Sequence, residues 1–188
     1  EEMLNAYNDR REEQGQAPFQ PFSIEQDYPK YVDGMPRYDG VAHFLKSRNI
    51  DLPKGKPTDE AGKATICGLG NWKDELFEQK IEQDGVQVFE ENVEVIRQWK
   101  QQGLKTALIS SSRNAQQVLQ ATGLENLFDS RVDGVVSDER QLTGKPAPDI
   151  FLEAAKELQV KPEEALVVED SLAGVEAAKR GGFQLVIG

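Results

Sequence analysis

The stretch that most constrains this chain is Ala165-Leu166-Val167-Val168-Glu169-Asp170-Ser171-Leu172-Ala173-Gly174. Four apolar residues run into two adjacent carboxylates, and a serine and a small-residue segment follow. A short apolar run of this kind fits a strand buried in a parallel sheet. The acids then stand at the strand's carboxyl end, the edge where open α/β sheets bind ligands. Ser171 is suited to cap the helix that follows. Two adjacent anions repel each other unless a cation lies between them. A hard divalent metal meets that need, and Mg²⁺ suits carboxylates that work on phosphate. Taken alone, such a pair is as readily a solvated helix cap, so the rest of the chain has to decide.

The chain has 188 residues, enough for one large domain or two small ones and for a real core. Its net charge of −11 argues against nucleic acid or an anionic membrane as a partner. An anionic substrate would therefore have to be held by a local cluster of cations. The single cysteine, Cys67, excludes an internal disulfide and fits a reducing cytoplasm. No apolar run approaches the roughly 20 residues that cross a bilayer, and no N-terminal signal pattern is present. There is no starting methionine, and Leu185-Val186-Ile187-Gly188 reads as a strand just finished. The sequence is accordingly expected to be incomplete at both ends.

Residues 1–88 read as helix and loop. A polar helix is expected over residues 1–14, with Met3, Leu4 and Tyr7 at helical spacing. A short helix or turn falls within Ser23–Tyr31. Pro36 opens a helix carrying Val41, Phe44 and Leu45 on one face. A further helix over Ala61–Ile81 is expected to break at Gly68-Leu69-Gly70 and to turn Leu76, Phe77 and Ile81 inward. After that the grammar alternates. Helices are expected at Glu91–Gln102, Asn114–Thr122, Pro148–Leu158 and Ser171–Arg180. Strands are expected at Leu104–Ile109, Val132–Val136, Ala165–Val168 and Leu185–Ile187. Such alternation implies βαβ units and a parallel sheet. The expectation is a helical domain over 1–88 and an α/β domain over 89–188.

Two further strand ends carry chemistry. The first runs into Ser110-Ser111-Ser112-Arg113-Asn114, where hydroxyls, a guanidinium and backbone N–H groups can cradle an anion. A polar turn with a helix cap would look the same in isolation. The second is followed by Gly144-Lys145-Pro146-Ala147-Pro148, whose prolines stiffen the loop and aim Lys145. A lysine at a sheet edge can neutralise charge on a phosphoryl oxygen. This is no Walker A loop, because Glu139 and Pro146 occupy positions that motif reserves for Gly and Ser/Thr. Gly68-Leu69-Gly70 is no dinucleotide loop, since Lys73 replaces the third glycine. Hydroxyls, a lysine and a paired acid on one edge are the parts needed for phosphoryl transfer. His43 reads as a structural or exposed side chain, and Cys67 as a small buried one.

Four stretches together resemble the haloacid dehalogenase superfamily, in its β-phosphoglucomutase-like branch. They are Lys105–Asn114, Gly144–Phe151, Val167–Val175 and Asp33-Gly34-Met35-Pro36-Arg37-Tyr38-Asp39-Gly40. The resemblance implies a Rossmann-like parallel-sheet α/β core with an all-helical cap that closes over it. It implies that Ser110, with the backbone at Ser111, holds the transferring phosphoryl group and that Lys145 pairs with it. Glu169 and Asp170 would ligate Mg²⁺ directly or through water. Ser112, Arg113 and Asn114 would grip a second phosphate of the substrate, and Arg37 and Lys73 would add contacts from the cap. The implied substrate is a small phosphorylated metabolite, a sugar phosphate, handled by a cytoplasmic monomer.

The chain departs from that pattern in one respect. The family's nucleophile is the first Asp of an Asp-x-Asp motif on a strand before the cap, and no Asp-x-Asp occurs in this sequence. The missing strand is expected upstream of residue 1, and the chain alone is expected to be inactive. A phosphate-binding or interaction module without catalysis is the alternative.

Overall fold

A computed structural model describes residues 8, 9 and 11–188. Met3, Leu4 and Tyr7 of the expected first helix lie outside the described residues. Asn8, Asp9 and residues 11–13 are helical. The chain divides into two compact units, Glu1–Asp33 with Arg37–Lys80, and Gly34–Pro36 with Ile81–Gly188. No helix among the described residues is long and apolar enough to cross a membrane.

The first unit is helical. Helix Arg37–Ser47 buries Val41, Phe44 and Leu45 with Ile50 and Leu69, and Phe22 meets Phe44 edge to face at 5.1 Å. That T-shaped contact adds to plain area burial. A single π-helical turn, Tyr28–Val32, precedes it. The second helix, Ile66–Asp84, is continuous through Gly68-Leu69-Gly70, where a break was expected. The glycine at 70 admits a neighbour: a Cβ there would meet the Tyr38 ring at 2.7 Å. The helix is capped by Thr65, whose Oγ1 accepts from Gly68 N at 2.9 Å. Phe77, expected inward, is 40% exposed. In the preceding loop Asp59 accepts from Lys63, Lys56 N and Thr65 Oγ1, which together hold its pKa down to about 2.

The second unit is the α/β part. Its strands are β1 (Ala107–Ile109), β2 (Ser130–Val132), β3 (Leu166–Val168) and β4 (Leu185–Ile187). They form two parallel pairs: β1 with β2, register Ile109 to Val132, and β3 with β4, register Val168 to Ile187. Both pairs feed one core, in which Val132, Ile150, Phe151, Ala154, Val167, Ala177 and Ala178 are buried. Ile150, Phe151 and Ala154 come from helix Asp149–Leu158, and Ala177 and Ala178 from helix Leu172–Arg180. The first strand is shorter than the expected Leu104–Ile109.

Two expectations are corrected here. Val132–Val136 was expected to be one strand, but the chain leaves β2 after Val132 and enters a short helix, Gly134–Glu139. The cause is Asp133, whose Oδ1 accepts from Val135 N and Val136 N at 3.0 and 3.1 Å and caps that helix. A cap of this strength overrides the strand preference of Val135 and Val136. The second concerns β3, which was expected to be buried on both faces. Val167 is buried, but Leu166 and Val168 are 47% and 61% exposed. With Leu185 and Ile187 on β4 they form an open aliphatic face among the described residues.

Candidate functional site

The turn after β1 is shaped by its own hydroxyls. Ser110 Oγ accepts from Ser112 N and Ser112 Oγ accepts from Asn114 N, each at 3.1 Å. Such short side-chain-to-backbone bonds fold a turn without a partner from elsewhere. They occupy alternate amides. The N–H groups of Ser111 and Arg113 have no hydrogen-bond partner among the described residues. The turn is fastened to the end of β2 by Ser110 N donating to Val132 O and Gly134 N donating to Ser112 O, both at 3.0 Å. Arg113, expected to grip substrate, is ion-paired with Asp138, and both side chains are solvent-exposed.

Lys145 and Glu169 come from different loops, 24 residues apart, and meet at 2.8 Å. Their side chains are only 5% and 7% exposed. Lys145 Nζ also lies 5.3 Å from the centre of the Phe151 ring, a cation–π distance. The other Glu169 oxygen accepts from Ser171 N at 3.1 Å and from the Ser171 hydroxyl. Ser171 Oγ in turn accepts from Gly174 N at 3.1 Å, the helix cap expected from the sequence. Glu169 thus has both oxygens engaged. Asp170, next in the chain, is exposed and has no hydrogen-bond or ion-pair partner among the described residues.

The donor set fits part of a hard-cation shell. Asp170 is a free carboxylate at a strand end, and Glu169 keeps unused lone pairs although both oxygens are held. Among the described residues no group of three or more metal-ligating side chains occurs. The pair alone could offer only a share of the ligands a hard divalent cation takes.

The segment Gly34–Pro36 belongs to this second unit. Ser111 Oγ donates to Gly34 O at 2.7 Å, and a Cβ on Gly34 would meet Ser171 Oγ at 2.6 Å. Pro36 stands against Gly144 beside Lys145. One short segment thus touches all three loops that the sequence singles out. Arg37 and Lys73, by contrast, lie in the helical unit. Arg37 is ion-paired with Asp74, and both are largely buried. Desolvation lowers the Lys73 pKa, the Arg37 charge lowers it further, and Asp74 opposes the shift.

Gly134 contacts the first of these loops and Asp133 precedes it, but neither is singled out in the sequence. Their signal is the Asp-Gly dipeptide at 133–134, which marks a turn.

The chain is similar to known proteins along most of its length. The haloacid dehalogenase-like hydrolase family model matches residues 3–182. A β-phosphoglucomutase of Mycobacterium bovis is 44% identical over 99% of this chain and 71% of its own length. A phosphorylated carbohydrates phosphatase of Thermotoga maritima is 35% identical over 84% of this chain and 82% of its own. Among solved structures, a β-phosphoglucomutase of Clostridium difficile superposes with a TM-score of 0.70 over 98% of this chain and 76% of its own. At 21% identity that likeness speaks for the fold alone. The chain belongs to the haloacid dehalogenase-like hydrolase family.

Proposed function

We propose that this chain carries most of a Mg²⁺-dependent phosphoryl-transfer site that hydrolyses or isomerises a sugar phosphate. The observation that carries the reading is the buried Lys145–Glu169 pair, which leaves Asp170 as a free, exposed carboxylate beside it. A buried lysine placed by a carboxylate is pre-organised, so it can meet phosphoryl charge with little rearrangement. Ser110 and the free N–H of Ser111 hold the transferring group. Ser112, Arg113 and Asn114 hold the substrate's other phosphate. Asp170 ligates Mg²⁺, with Glu169 reaching it directly or through water. When bound, Mg²⁺ neutralises charge on the phosphoryl oxygens.

In this reading residues 1–88 act as the cap and 89–188 as the core, with Arg37 and Lys73 as cap contacts. The nucleophile is an aspartate on a strand outside this sequence, and it forms an aspartyl-phosphate. The names of the Mycobacterium bovis and Thermotoga maritima relatives support a sugar phosphate as substrate. The protein is proposed to work as a cytoplasmic monomer.

The test is turnover by the intact protein with Mg²⁺. A panel of phosphate esters would be assayed beside β-glucose 1-phosphate with a bisphosphate primer. Asp170→Asn is expected to weaken Mg²⁺ binding at least tenfold and to abolish most turnover, with the melting temperature unmoved. If the intact wild-type protein turns over none of these compounds, the reading fails in favour of a phosphate-binding module. Unchanged Mg²⁺ affinity in Asp170→Asn would remove the metal assignment alone.

A further inference from the structure

Asp133 is fully buried, and the phosphoryl-transfer site proposed above gives it no part. A buried carboxylate is costly unless its oxygens are matched. Its Oδ1 is matched by the two amides of Val135 and Val136. Its Oδ2 accepts no hydrogen bond, although Arg131 Nη1 stands 2.9 Å away and balances the charge. The capping bonds turn the chain sharply out of β2, and the turn sets the direction of the next residue. Gly134 N then donates to Ser112 O at 3.0 Å. The fit there is tight: a Cβ on Gly134 would meet Ser111 O at 2.8 Å and Arg113 N at 2.9 Å. Further along the same short helix, Asp138 takes the guanidinium of Arg113. The helix begun by Asp133 therefore fastens the Ser110–Asn114 turn at Ser112 and at Arg113. Beside those points lie the unpartnered amides of Ser111 and Arg113.

We propose that Asp133 and Gly134 are positioning residues for the phosphate-holding turn Ser110–Asn114, a proposal that rests on the reading of that turn given above. Asp133 acts through its cap, which aims Gly134, and Gly134 acts by admitting the turn's backbone to close contact. Neither touches the ligand. A turn fastened in this way keeps its free N–H groups in place before the anion arrives, so binding does not have to order them.

The experiment is a titration of the ¹⁵N-labelled protein with inorganic phosphate, following the amides of residues 110–114, with melting temperature measured alongside. Wild type is expected to show saturable shifts at these amides. Asp133→Ala and Gly134→Ala are expected to raise the phosphate Kd tenfold or more and to move the turn's amide signals before phosphate is added. Asp133→Asn keeps an oxygen for the cap and is expected to stay within twofold of wild type. Ser110→Ala serves as the control for the turn itself. Should Ser110→Ala lose binding while Gly134→Ala and Asp133→Ala bind within twofold of wild type, the positioning role is overturned, even if melting temperatures fall. If Asp133→Ala does not fold, Gly134→Ala decides the matter by the same criterion. Absence of any phosphate-dependent shift at 110–114 in wild type would overturn the reading of the turn, and this proposal with it.

Discussion

Two strand-end turns in the α/β unit, Ser110–Asn114 and Glu169–Ser171, are built on opposite plans. The first is partly open to water, is folded by neutral hydroxyl-to-amide bonds, and leaves two N–H groups unpartnered. The second is closed around a charge: Glu169 is held by Lys145 on one oxygen and by Ser171 on the other. The first turn offers donors to a guest, and the second has spent its donors on itself. The comparison teaches that the acid pair is not two equivalent carboxylates. Glu169 organises the lysine, and Asp170 alone faces outward unengaged.

That contrast can be broken by substitution. The largest effect is expected at the closed turn. Lys145→Met strands Glu169 as a buried, unpaired charge, and breaking such pairs costs about 3–5 kcal/mol. Adding Glu169→Gln to it should return most of that loss. Urea denaturation of the two single variants and the double variant gives the coupling, and a coupling near zero would mean the two turns do not differ as described. A smaller effect is expected for Ser171→Ala, which removes both a helix cap and a hydrogen bond to a charged acceptor. About 2 kcal/mol is the expected loss by denaturation. The smallest belongs to the open turn. Asp138→Asn removes an ion pair whose members are 39% and 66% exposed, so stability should change by no more than about 0.5 kcal/mol. A loss as large as that of Ser171→Ala would show that the first turn is as rigidly charged as the second.

The sequence made the α/β part legible where a residue's chemistry and its position coincide. Glu169-Asp170 at a strand end, Ser171 as a cap, and the serine-rich turn after Ile109 were all readable without tertiary information. The pairing of Lys145 with Glu169 was not, because 24 residues separate them and only the fold joins them. Val135-Val136 misled because β-branched residues favour strands, while a single side-chain cap at Asp133 started a helix. Gly68-Leu69-Gly70 misled in the other direction. Glycine weakens a helix by itself, yet at position 70 it lets the Tyr38 ring approach, and packing decided the outcome. Phe77 shows the limit of periodicity, which predicted a buried face that the helix does not present there. The role of Gly34–Pro36 in touching three loops was beyond reach, since the resemblance marks the stretch without saying what it touches.

The open aliphatic face of β3 and β4 has a colloidal consequence. In a preparation of residues 1–188 alone, Leu166, Val168, Leu185 and Ile187 give each copy a patch that attracts its like at short range. What keeps copies apart is the charge of −11, which acts at longer range and weakens as salt is added. Near pH 4.7, where the formal charges of the 188 residues balance, that repulsion vanishes while the attraction is untouched. Sulfate strengthens the attraction as well as screening the charge. Precipitation should therefore set in earliest in mildly acidic, sulfate-rich solution, and at its slowest in dilute neutral buffer.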